Sequence, residues 1–406
     1  MSSNHSSIPH DAGNDPVEAG TFIVLFLCGL VLLLLSGAVL FFASSLGSEP
    51  PSVEELRTGN RFQPAPEFEG ISYWLNSEPT ALSELRGNVV LVDFWTYTCV
   101  NCLRTLPQLR AWHDQYFDSG LRIIGIHTPE FEFEKSAANV LAATEAQGVT
   151  WPVALDNDYV TWDNFENLFW PTKYLIDHRG RLRFYRVGEG NYETFEEEMR
   201  SLLLESGSDL TDAPPTRAME HLPDARYEAA PDKNITPELY AGYDRGDFQR
   251  EYYGVGYVGQ DDYYQAPDQT LELDVPEFLE PGQIYFQGTW INEAQRALHA
   301  RESTGFGDHI ALVYSARTVN VVMSSNNVEP VKVRIQVDDE FLTEGNRGED
   351  VIVGADGESY IMVDESRMYR AVEMPEYGQR KKLELSVNSE GLAVYAITFG
   401  IFAEGP

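Results

Sequence analysis

Cys99 and Cys102 are the residues of this sequence with the clearest chemical reading. Only Val100 and Asn101 separate them, and they follow the apolar run Val89-Val-Leu-Val-Asp-Phe-Trp95. Where a buried strand turns into a helix, this spacing brings two sulfurs within disulfide reach. The first sulfur faces the unpaired N–H groups of the first helical turn. The helix dipole favours a thiolate there, which makes Cys99 the nucleophile. Cys102 lies one turn deeper and can attack a mixed disulfide held on Cys99. A zinc site would need two more ligands, and the sequence has no second CxxC and no HxxxH pattern, so no metal is expected. A static bridge closing so short a loop would add little stability. Thiol redox chemistry is the expectation, with no further cofactor.

Asp93 is the one acid on the apolar strand ahead of the motif. Desolvation there should raise its pKa and suit it to exchanging a proton with Cys102. His127 and His178 have no evident partners in the sequence and are read as core or surface residues.

The elements that must hold these residues follow a layered α/β order. Val89–Trp95 and Leu121–Ile126 read as buried strands, and Leu103–Phe117 as a helix interrupted by Pro107. Glu134–Gln147 reads as a second helix. Lys173–Asp177 and Leu182–Val187 form a hairpin around His178-Arg-Gly180, and Tyr192–Glu205 closes the unit as an amphipathic helix.

The stretch VVLVDFWTYTCVNC resembles the active site of the thioredoxin superfamily. Asp93 stands where that family has its buried proton-transfer carboxylate, and Trp95 follows it. Pro107 stands at the helix-kinking proline, and Trp170-Pro171-Thr172 at the cis-proline loop. The resemblance implies that Cys99 and Cys102 form the redox-active disulfide and that Asp93 serves them. It further implies that Trp95, Trp170, Pro171 and Thr172 bind substrate. The segment Phe131–Asp156 and the LIDHRGRLRF hairpin look like the TlpA-like and ResA-like branch. From Arg61 to the C-terminus the chain is similar to the extracytoplasmic part of DipZ-type proteins. These join a TlpA-like domain to a carbohydrate-binding-module-like β domain. They also carry a CcdA-like membrane domain with several helices. A chain with a single apolar segment would need a separate membrane electron donor of CcdA type. Thr96-Tyr-Thr-Cys99 also imitates the threonine–cysteine spacing of peroxiredoxins, although Val92 replaces their upstream proline. A thiol peroxidase is therefore the enzymatic alternative. An envelope- or glycan-binding protein with a vestigial redox domain is the non-enzymatic one.

Thr21–Ala43 is an uncharged apolar run of 23 residues, about 34 Å long as a helix and enough to span a bilayer. Residues 1–20 contain no Lys or Arg, so an anchor is preferred over a cleaved signal. Arg57 and Arg61 alone would place the following chain in the cytoplasm. The redox module argues for the opposite side. The expectation is a single-pass protein of a bacterial inner membrane, with periplasmic domains acting on disulfides of exported proteins.

The expected division is a tail (1–20), the anchor (21–43), a tether (44–60), a thioredoxin-like domain (61–206), a linker (207–234) and an all-β sandwich or jelly roll (235–406). The last part has short alternating runs at Gln269–Val275, Gln283–Trp290, His309–Ser315, Thr318–Met323, Lys332–Val337, Tyr360–Val363, Lys382–Val387 and Ala393–Phe402. Trp290 is expected in its core. The Tyr252–Tyr264 cluster is expected to be exposed, as a possible glycan or docking platform. Acids outnumber bases 64 to 29 across 406 residues, and only 6 of the bases are Lys. That excludes binding nucleic acid through its phosphates.

Overall fold

The computed structural model describes residues 63–216, 234–246, 249 and 256–401. The apolar segment Thr21–Ala43 lies outside the described residues. Among the described residues, no helix is long and apolar enough to cross a membrane.

The first half is built on a six-stranded sheet. Its strands are β1 (Tyr73–Leu75), β2 (Val89–Trp95), β3 (Leu121–His127), β4 (Val153–Leu155), β5 (Thr172–Ile176) and β6 (Leu182–Val187), in the order β1-β4-β3-β2-β5-β6. The pairs β2–β3 and β3–β4 are parallel, while β5 and β6 run antiparallel. Helix α1 (Val100–Tyr116) crosses from β2 to β3, followed by α2 (Ala137–Ala146), the short α3 (Val160–Asn164) and α4 (Tyr192–Glu205). Every residue of β2 is buried, as expected of a strand covered on both faces. Trp112 of α1 stacks on Phe195 of α4, their rings 5.2 Å apart. The carboxyl end of β2 thus opens into the N-terminus of α1, the place where open α/β sheets bind ligands.

The second half, among the described residues, is an eleven-stranded antiparallel sheet of β7 (Leu239–Tyr240), β8 (Thr270–Leu273), β9 (Ile284–Asn292), β10 (Ala297–His299), β11 (Asp308–Ser325), β12 (Val331–Val337), β13 (Glu340–Phe341), β14 (Ile352–Val353), β15 (Ser359–Val363), β16 (Arg367–Val387) and β17 (Leu392–Gly400). Its frame is two long strands, β11 (Asp308–Ser325) and β16 (Arg367–Val387). The early part of β11 pairs with β9 (Ile284–Asn292), and the later part with β17 (Leu392–Gly400). The change of neighbour falls where the register between β11 and β16 shifts, at Tyr314–Thr318. Such bulges bend and twist a strand. The strands expected at His309–Ser315 and Thr318–Met323 are therefore one. Arg367–Arg380, assigned to no strand from the sequence, is the first part of β16, although it contains Pro375 and Gly378.

Trp290 is fully buried, as expected. The tyrosine platform is corrected. Tyr263 and Tyr264 are buried, and Tyr263 stacks on Phe286 at 5.1 Å. Tyr252 and Tyr253 lie outside the described residues. The start of the expected linker is also packed: Leu210 and Ala213 join the apolar cluster around α1 and α4. That cluster runs on into the second sheet through Val322, Met368, Ala393, Tyr395 and Ala396, so the two sheets share a core.

Candidate functional site

Cys99 is the N-cap of α1, with an extended backbone, and is half-buried. Its Sγ accepts a hydrogen bond from the Cys102 backbone N–H at 3.2 Å. The sulfur thus does what a Ser or Asp oxygen does at an ordinary N-cap. Cys102 is fully buried beneath it, and both thiols are free. Burial pushes the Cys102 thiol well above the usual range. The adjoining Cys99 adds to that shift, as does the Asp93 carboxylate.

Asp93 is 1% exposed on β2. Burial raises its pKa, and Lys173 opposes the rise. Lys173 lies directly across the β2–β5 ladder from Asp93 and is also almost fully buried. The Nζ to Oδ1 distance is 3.4 Å. The contact is an ion pair without well-directed hydrogen-bond geometry, since both atoms lack a hydrogen-bond partner among the described residues. Sequence reasoning placed Lys173 in a strand but gave it no role. Its signal was a charged residue inside the buried five-residue strand Thr172–Ile176.

The loop ahead of β5 carries the remaining expected residues. The Trp170–Pro171 peptide is cis. The Trp170 indole donates to the Thr128 carbonyl at 3.0 Å and packs on Trp162. Thr172 is buried, and its hydroxyl donates to the Phe169 carbonyl at 2.8 Å. Trp95 is buried edge-on against His127. The side chains of Trp95 and Thr172 therefore face the interior. The exposed apolar residues of this loop are Leu168 and Phe169. His127 is a core residue, as expected, and burial lowers its pKa to about 3. Thr96 shares a hydrogen bond with His127 at 3.3 Å.

The second sheet borders this site. The Tyr97 hydroxyl donates to the Ser366 carbonyl at 3.0 Å. Val100 is buried in the apolar cluster that both sheets share. Arg104, one turn into α1, is 5% exposed and bonded to Asn101 and Glu189. None of Ser366, Tyr395 and Arg104 was singled out from the sequence, because each matters through contacts between distant segments. No cluster of metal-ligating side chains occurs among the described residues. A half-exposed thiol over a buried thiol, with a buried carboxylate behind, can release two electrons and two protons on closing to a disulfide and take them up again on reduction.

Comparison with known proteins finds matches in both halves. Residues 62–185 match the profile of the AhpC/TSA family, and residues 236–400 that of the thioredoxin like C-terminal domain. Protein DipZ of Mycobacterium bovis is 37% identical over 262 residues, which cover 64% of this chain and 35% of DipZ. The chain thus spans about a third of the length of the DipZ relatives it matches. Thiol-disulfide oxidoreductase YkuV of Bacillus subtilis is 29% identical over 144 residues, covering 36% of this chain and 97% of YkuV. A solution structure of a thioredoxin-like protein in the oxidized form is 30% identical, covering 36% of this chain and 97% of that one, with a TM-score of 0.33.

Proposed function

We propose that the chain is a thiol–disulfide oxidoreductase of the thioredoxin superfamily working through Cys99 and Cys102, a reading supported by its similarity to the AhpC/TSA family, to DipZ and to YkuV. The Cys99 thiolate attacks a substrate disulfide, forming a mixed disulfide and releasing one substrate thiolate. Cys102 gives up its proton, with Asp93 as acceptor, and attacks the Cys99 sulfur. The second substrate thiol leaves, and the enzyme holds the Cys99–Cys102 disulfide. Two electrons have passed to the substrate, so a thiol reductant must restore the pair.

The observation that carries this reading is the hydrogen bond from the Cys102 N–H to the Cys99 sulfur, with the buried Cys102 thiol beneath it. Thiol peroxidase chemistry has less support, because the Thr96 hydroxyl is engaged with His127. We read Trp170, Pro171 and Thr172 as the substrate edge through their backbone. The second sheet is read as a sandwich domain folded over at the β11 bulge.

Exported proteins are the proposed substrates. Thr21–Ala43 is the proposed anchor, in a bacterial inner membrane with the folded parts outside, and a CcdA-type membrane donor is the proposed reductant. Similarity to DipZ, and the length and apolarity of that segment, support this arrangement. The test is the reduction potential of the Cys99–Cys102 pair. A value near that of thioredoxin, about −270 mV, supports a reductase, and one near that of DsbA, about −120 mV, an oxidase. A pair that does not cycle in a glutathione or dithiothreitol series contradicts the proposal.

A further inference from the structure

Glu134 lies in the 3-10 turn Glu132–Lys135 before α2 and is fully buried. Its Oε1 accepts from the Thr98 hydroxyl at 2.5 Å. Its Oε2 accepts from the N–H groups of Glu130 at 2.5 Å and Phe131 at 3.0 Å. Thr98 is itself buried and directly precedes Cys99. One carboxylate therefore ties the approach to the nucleophile to a segment more than thirty residues away.

That segment in turn rests on the second sheet. Glu130 accepts from the Tyr240 hydroxyl and from Arg245, both at 2.9 Å. Phe131 and Phe133 pack on Tyr395, with ring centres 5.1 and 4.8 Å apart. A buried carboxylate is costly unless its acceptors are filled, and the Thr98 hydroxyl and the two backbone N–H groups do so here.

We propose that Glu134 is a positioning residue of the redox site: acting through the Thr98 hydroxyl, it fixes the N-cap geometry of Cys99. The inference rests on Cys99 being the attacking thiol. Protonation changes the arrangement. A neutral acid carries a proton on one oxygen, which takes up an acceptor position and turns it into a donor, so the bonding around Glu134 changes. Burial pushes Glu134 up to about 7, while the Thr98 bond pulls the other way. The change therefore falls in the neutral range. The titratable groups around it are Glu130 on its own segment, Tyr97 ahead of the motif, Tyr159 before α3 and, through Tyr97, Tyr395 and Glu365 of the second sheet. Burial raises Tyr97 and Tyr159 above the usual phenol range, so both stay neutral. Arg245 is paired with Glu130.

The test is the rate of iodoacetamide labelling of the reduced full chain between about pH 5 and about pH 9, with the labelled cysteine identified by peptide mapping. The wild type is expected to show an inflection near 7, matching Glu134. In Glu134→Gln the amide oxygen can face the two backbone donors while Thr98 accepts from the amide. This variant mimics the neutral acid at every pH. It should label Cys99 about three- to tenfold more slowly above neutrality and lose the inflection. Thr98→Val, with Glu134 intact, should reproduce both effects, and it decides the matter if Glu134→Gln does not fold. Labelling of both folded variants at the wild-type rate with the wild-type profile overturns the proposal. Wild-type labelling on Cys102 instead of Cys99 overturns the attacking-thiol reading, and this inference with it.

Discussion

Asp93 and Lys173 face each other across neighbouring antiparallel strands, 3.4 Å apart and almost wholly buried. The pair sets the protonation of Asp93, the group proposed to accept the Cys102 proton. Burial raises Asp93 and Lys173 restrains the rise. Lys173→Met removes that restraint, so Asp93 should hold its proton to higher pH and serve poorly as an acceptor at neutrality. The release of substrate from the mixed disulfide should slow, and its pH profile should move upward. Stopped-flow measurement of that release checks this. Superimposable profiles would mean that the lysine does not govern Asp93.

The same pair carries a stability signature. Removing one partner of a buried ion pair typically costs about 3–5 kcal/mol, while replacing both with neutral groups can cost little. Asp93→Asn leaves Lys173 uncompensated and should lower stability by about 3 kcal/mol. Asp93→Asn combined with Lys173→Met should recover most of that loss. Urea unfolding of the single and double variants gives the coupling, and strict additivity would contradict it.

His127 predicts an acid limit. Its folded pKa is lowered to about 3 from an ordinary 6.5. Between those values the unfolded chain takes up a proton that the folded chain refuses. The His127 contribution is thus complete above about pH 6.5 and is lost as pH falls towards about 3, by on the order of 5 kcal/mol. In His127→Gln the loss of stability over that window should be shallower than in the wild type. Equal slopes would mean that His127 is not the group responsible.

The shared core predicts cooperative unfolding of the two sheets. Tyr395 of β17 is buried against Phe131 and Phe133, which belong to the first half. Tyr395→Ala should cost about 3–4 kcal/mol by opening a cavity there. It should also broaden or split a single calorimetric transition. A wild-type melt with two separate transitions would contradict the common core.

These relationships explain what could be read from the chain alone. The apolar run Val89–Trp95 matches β2 residue for residue, because a strand buried on both faces leaves a continuous pattern. The motif spacing placed Cys99 at a helix start, and its N-cap position agrees. Strands β1 and β4, of three residues each, are too short to show a period. Glu134 read as the start of a helix, and nothing local shows that its carboxylate bonds Thr98, 36 residues back in the chain. Lys173 and Asp93 are partners only by strand register. The aromatic residues Tyr263 and Tyr264 sit among Gly and Asp in the sequence yet fill the core, because a single helical turn at Asp262–Gln265 tucks them under β9.

The central claim is the division of labour between Cys99 and Cys102. In Cys102→Ser the serine hydroxyl is a poor nucleophile at neutral pH and cannot resolve the mixed disulfide. Substrates should therefore accumulate on Cys99. In Cys99→Ser the remaining thiol is buried, with its pKa well above the usual range, and should trap little. The measurement is a non-reducing pull-down of each full-length variant, followed by reduction and identification of the released proteins. Abundant disulfide-linked adducts on Cys102→Ser, with few on Cys99→Ser, are the predicted result. Equal trapping by both variants, or none by either, would contradict the account.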